Sequence, residues 1–111
     1  MGRYDSGYTA TIPAIQTLTT KSSNIGCSAL IKNLILKCTS TDQGYAVNDE
    51  VVSFTTTIAS AAIAVNIGTT NNSVFFITGN SSIYAQSKTT GGYVPLTNAN
   101  WSYKLIAQRG W

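Results

Sequence analysis

The sequence has no histidine. That absence removes Ser-His-Asp and Cys-His catalysis, and with it the commonest protein ligand for zinc or copper. Two cysteines, Cys27 and Cys38, cannot by themselves complete a tetrahedral zinc site. Carboxylates are almost as scarce: Asp5, Asp42, Asp49 and Glu50 are all there are. A glycosidase needs two of them flanking a cleft, whereas Asp42, Asp49 and Glu50 lie around one loop. No spaced Asp-x-Asp run offers a calcium loop, so these three read as solvated loop carboxylates. The expectation is a chain that is not an enzyme, with no catalytic residue, cofactor or metal. Long apolar runs are missing too. Nothing of signal-peptide type follows Met1-Gly2-Arg3-Tyr4, and nothing approaches the length of a membrane span. Met1 to Ser6 matches the loose myristoylation pattern, but a motif this short arises by chance.

Charge is the last thing in short supply. Charged residues make up 10% of the chain, against a usual quarter. The net charge of +3 comes from Arg3, Lys21, Lys32, Lys37, Lys88, Lys104 and Arg109, scattered singly. A phosphate-tracking groove needs clustered basic residues, so nucleic-acid binding is not expected. Ser, Thr and Asn fill the gap, at about a third of the residues, and 43% of the chain is hydrophobic. Disordered chains carry more charge and fewer aromatics, so this one folds. No charge occurs between Glu50 and Lys88. So neutral a surface is a solubility liability on a free monomer and natural in a subunit that buries itself against copies or partners.

What is present reads as strands. Trp101, Tyr103, Leu105 and Ala107 fall on one face of the last eleven residues, with Ser102, Lys104 and Gln108 on the other. Ile106 alone breaks the pattern, as a single apolar residue on the outer face. This segment closes an all-β domain, with Trp101 in the core and Trp111 on the domain base or a neighbouring chain. Ser28 to Thr39 is the longest apolar segment. Leu30, Leu34, Leu36 and Cys38 share one face, and Ile31 and Ile35 the other beside Asn33 and Lys37, as in a central strand; a helix is the competing reading. Cys27 and Cys38 read as small buried hydrophobes. A disulfide between them requires the chain to fold back.

Other strands are expected at Tyr8 to Ile12, Ile15 to Thr20, Val51 to Ile58 and Ile63 to Ile67, with Gly68 ending the last. Ala59 to Ala62 is ambiguous. Turns fall at Lys21 to Asn24, Ser40 to Gly44 and Thr69 to Ser73. Val74 to Thr78 and Ile83 to Ser87 should form a hairpin over Gly79 to Ser82. After a turn at Thr89 to Gly92, Tyr93 to Leu96 leads across to the closing strand. Seven or eight short strands make a single antiparallel β-sandwich or jelly-roll-like domain over residues 1–111. Among the aromatics, Phe76, Tyr103 and Trp111 are candidates for an oligomer or partner interface. Tyr45, Tyr84 and Tyr93, beside Gly- or Ser-rich turns, are candidates for stacking on a glycan. The sequons at Asn71, Asn80 and Asn100 are expected by chance in so Asn- and Ser-rich a chain.

Three stretches resemble small domains of tailed-bacteriophage virion proteins: Asp5-Ser6-Gly7-Tyr8, the run Gly44-Tyr45-Ala46-Val47-Asn48-Asp49-Glu50-Val51, and the closing Asn98-Ala99-Asn100-Trp101-Ser102-Tyr103-Lys104-Leu105. The resemblance implies a structural β-sandwich on the virion surface, made in the host cytoplasm without a signal peptide. It implies a homo-oligomer, with a trimer favoured, contacting other virion proteins and in some roles a host surface glycan. A tail-fibre or head-fibre domain, a capsid decoration (cement) protein bridging major capsid subunits, and a lectin-like carbohydrate-binding module are the functions to separate.

Overall fold

A computed structural model of the chain describes residues 3–23, 31–53, 65–70, 72–79 and 83–108. Its longest strands are the two whose alternation is cleanest: β4 (Ile31–Cys38) and β10 (Trp101–Gln108). They pair antiparallel along their whole length, so that Leu34 faces Leu105, Leu36 faces Tyr103 and Cys38 faces Trp101. With period-two side chains, that register puts all six on one side of the sheet. All six are buried. Over Ile31–Cys38 the helical reading is therefore excluded and the strand reading holds, while Leu30 lies outside the described residues.

Around this pair the five-stranded sheet is completed by β5 (Glu50–Ser53) beside β4, and by β1 (Arg3–Asp5) and β2 (Ala10–Thr11), which both pair with the far edge of β10. Between them Ser6 continues the edge, its N–H donating to Leu105 O at 3.0 Å and its Oγ accepting the Leu105 N–H at 2.8 Å. Gly7, at φ +71°, then swings the chain off the edge, a turn open to glycine because it lacks a Cβ. The expected strand at Tyr8 to Ile12 thus shrinks to Ala10–Thr11, and β1 was not foreseen at all.

The second sheet has β7 (Ser73–Ile77) at its centre, flanked by β3 (Leu18–Ser22) and β6 (Asn66–Thr70). This overturns three expectations. The hairpin between Val74–Thr78 and Ile83–Ser87 does not form, because β7 has both edges occupied. Strand β3 runs through the predicted turn at Lys21, which pairs with Val74. Strand β6 continues past Gly68 to Thr70, which pairs with Ser73 across a two-residue connection. Gly68 is tolerated there because the Phe75 ring, directly across the ladder, occupies the space a Cβ would take.

The two sheets pack face to face as a small, all-antiparallel β-sandwich. Phe76 of β7 meets Tyr103 of β10 edge-to-face, ring centroids 5.1 Å apart, the geometry favoured by the aromatic quadrupole. Val74, Leu34, Leu36, Leu105, Ala107, Trp101 and Leu96 complete a continuous core with Ile12, Val65 and Ile83. Each large side chain buried there contributes about 1.5–3 kcal/mol relative to leaving it exposed. A two-stranded ribbon, β8 (Tyr84–Gln86) with β9 (Tyr93–Pro95), stands beside the sandwich. The described residues thus hold ten strands rather than seven or eight, since short edge segments carry too little pattern to be seen in sequence. Ala59 to Ala62, Cys27 and Trp111 lie outside the described residues.

Candidate binding surface

The loop from Thr39 to Asp49 builds the platform on which the ribbon stands. Asp42 and Tyr45 form an isolated antiparallel bridge around Gln43 and Gly44, both at positive φ. Gly44 needs its missing side chain twice over. Its φ is +86°, and a Cβ there would come within 2.5 Å of Thr89 Oγ1. The close approach lets the Lys88 N–H donate to Gln43 O at 3.0 Å. Asp42 ties the platform to the closing strand: its Oδ2 accepts from Trp101 Nε1 at 3.0 Å and from the Thr97 N–H at 2.8 Å. Asp49 Oδ2 accepts from Lys88 Nζ at 2.9 Å and from the Ala46 N–H at 2.9 Å. The Lys88 hydrogen bond, followed by that of Ala46, holds the Asp49 carboxyl below the usual carboxylate range. These carboxylates thus serve to fasten loops.

Of the three tyrosines singled out for glycan contact, the structure brings two together and gives the third another task. Tyr45 stands edge-on to Trp101, centroids 5.4 Å apart, and its hydroxyl donates to Gln86 O at 2.7 Å. It holds the ribbon to the platform. Tyr84 and Tyr93 instead share one face of the ribbon, for Tyr84 pairs with Pro95 and Gln86 with Tyr93. The opposite face carries Ala85, which packs on the core, beside the buried Ile83 and Leu96.

Phe76 and Tyr103, expected at an interface, are 0% and 5% exposed and lie between the two sheets. Their surface is already spent on each other and on the core, so they are core residues. Trp101 is buried as expected. Ile106 departs from its expected exposure and is buried as well. Cys38 is a free, buried thiol whose Sγ–H donates to Ser40 O at 3.1 Å, and burial raises its pKa.

A second surface escaped the sequence reading. On the outer side of the five-stranded sheet the Tyr8 ring meets two ammonium groups, Lys37 Nζ at 4.8 Å and Lys104 Nζ at 4.9 Å from its centroid. Its hydroxyl donates to Glu50 Oε2 at 2.7 Å. Burial first, then this bond, raises the Tyr8 pKa far above the ordinary tyrosine value. Lys104 also reaches Asp5 Oδ2 at 3.3 Å. Next to this clasp the same face is mainly apolar, with Asn33 as its polar member. Ile35 pairs with Val52, and Ile31 follows four residues back along β4. Ile31 is 44% and Val52 54% exposed. The clasp itself offered no signal in sequence, because the partners of Tyr8 come from three distant strands.

Among the described residues there is no cavity, and no three Cys, Asp or Glu side chains converge. Comparison with protein-family models, curated proteins and solved structures finds nothing that matches this chain.

Proposed function

We propose that this chain is a non-enzymatic structural subunit of a bacteriophage virion, a tail- or surface-fibre domain that assembles with copies of itself, as a trimer. The observation that carries the assembly is the outer face of the five-stranded sheet, where Ile31, Ile35 and Val52, with Asn33 between the two isoleucines, form a mainly apolar patch bordered by Tyr8, Lys37, Lys104 and Glu50. An apolar centre with a polar rim is the anatomy of a subunit interface. The uncharged stretch between Glu50 and Lys88 and the three virion-like segments support the same reading.

Size-exclusion chromatography with light scattering tests it. The wild-type chain runs as a trimer, and Ile31→Asp with Val52→Asp runs as a folded monomer. A wild-type monomer at every concentration tried removes the self-assembly. Labelled copies located on purified particles at the tail support a fibre domain, and copies spread over the capsid face replace it with a cement protein.

A further inference from the structure

We infer that the outward face of the β8–β9 ribbon is a binding site for a neutral saccharide, with the rings of Tyr84 and Tyr93 as its stacking surface. Four side chains make this face: Tyr84, Gln86, Tyr93 and Pro95. Pairing places Tyr84 against Pro95 and Tyr93 against Gln86, so the two tyrosines are diagonal neighbours, about 7–8 Å apart at the backbone. One oligosaccharide lies across both at that spacing. Tyr93 is 47% exposed, and Gln86 and Pro95 are exposed beside it. The ribbon's apolar needs are met on its other side by Ala85, Ile83 and Leu96. Tyr84 is half-buried on the same face as the more exposed Tyr93.

The chemistry around the rings selects the class of ligand. Sugar rings present C–H faces that pack on aromatic rings and hydroxyls that need donors and acceptors at the edge. Here the edge is Gln86, whose Nε2–H donates to Gly91 O at 3.0 Å, with Thr89 and Thr90 exposed in the adjoining loop. The basic group of that loop, Lys88, is paired with Asp49 at 2.9 Å. A sulfated or phosphorylated chain finds no uncommitted cation there, and a neutral one loses nothing. The face is also rigid before any ligand arrives. Tyr45 fixes the Gln86 carbonyl, Gln43 O the Lys88 N–H, and Ser87 Oγ the N–H groups of Thr89 and Thr90 at 3.2 Å each. Ordering paid for in folding is not charged again on binding. The site is independent of the assembly reading, because the ribbon and the Ile31–Val52 face belong to different elements.

Native affinity electrophoresis tests the site in gels containing dextran, mannan, xylan or a β-glucan, with dextran sulfate as the charged control. At least one neutral polysaccharide retards the wild-type protein. Tyr84→Ala and Tyr93→Ala each weaken that retardation about tenfold, which is about 1.4 kcal/mol, while light scattering shows an unchanged oligomer. In the wild-type protein, a matching oligosaccharide shifts the Gln86 and Tyr93 amide resonances, so the result does not depend on the variants folding. Retardation by dextran sulfate alone, no retardation at all, or binding undiminished in both variants overturns the site.

Discussion

Asp42 joins two distant parts of the chain. One of its oxygens accepts from both the Trp101 indole and the Thr97 backbone, so a half-buried carboxylate fastens the start of the closing strand to a distant loop. Hydrogen bonds to charged groups contribute about 1.5–3 kcal/mol, and trimming a core aromatic leaves a cavity besides. Trp101→Phe should lower unfolding free energy by about 2–4 kcal/mol in urea titration. Asp42→Asn, which keeps an acceptor, should cost about 1 kcal/mol. Equal losses in the two variants would show that the indole N–H is not what Asp42 holds. Sequence alone made Trp101 a core residue, since alternation reports burial. It made Asp42 a solvated loop residue, since nothing local to Asp42 announces a donor fifty-nine positions away.

Among the elements, the turn at Gly44 and the turn at Gly7 make a controlled comparison. Both glycines have positive φ, but a Cβ at Gly7 meets nothing within 4 Å, whereas at Gly44 it meets Thr89. Left-handed backbone alone costs about 1–2 kcal/mol for an ordinary residue. Gly7→Ala should cost that much, and Gly44→Ala clearly more, with the excess appearing as shifted amide resonances at Lys88 and Thr89. The long strands β4 and β10 were legible because Leu34, Leu36 and Cys38 on the one, and Trp101, Tyr103, Leu105 and Ala107 on the other, alternate as one apolar face. The pairing of β7 was not, because a hairpin is the local solution while its true partners lie on both sides and one of them, β3, is mostly polar. Gly68 misled for a related reason: the ring that makes it acceptable in a strand belongs to the neighbouring strand. Of the candidate binding surface, Tyr84 and Tyr93 stood out as aromatics beside turns, but which of three tyrosines would turn outward depended on the ribbon's register.

For the molecule as a whole, acid stability should follow Asp5 and Asp49. The Gly7 N–H, then Lys104, hold the Asp5 carboxyl below its ordinary value, and the Lys88 bond does so for Asp49. A depressed carboxylate stabilises the fold above the unfolded-state value of about 3.9, and that contribution is lost as pH falls below it. Thermal melting should therefore weaken on going below about pH 4. Asp5→Asn, melted across the same range, should show a shallower fall, and an unchanged slope would remove Asp5 from the account. Strand β10 also sets how the molecule can be mounted. Arg3 pairs with Gln108 at one end of it, while Trp101 at the other end touches Tyr45, which holds the ribbon. Seven residue steps along the strand separate these ends, about 23 Å. A support fastened near Arg3 and Gln108 therefore grips one end of β10, and the ribbon that carries Tyr84 and Tyr93 is anchored at the other.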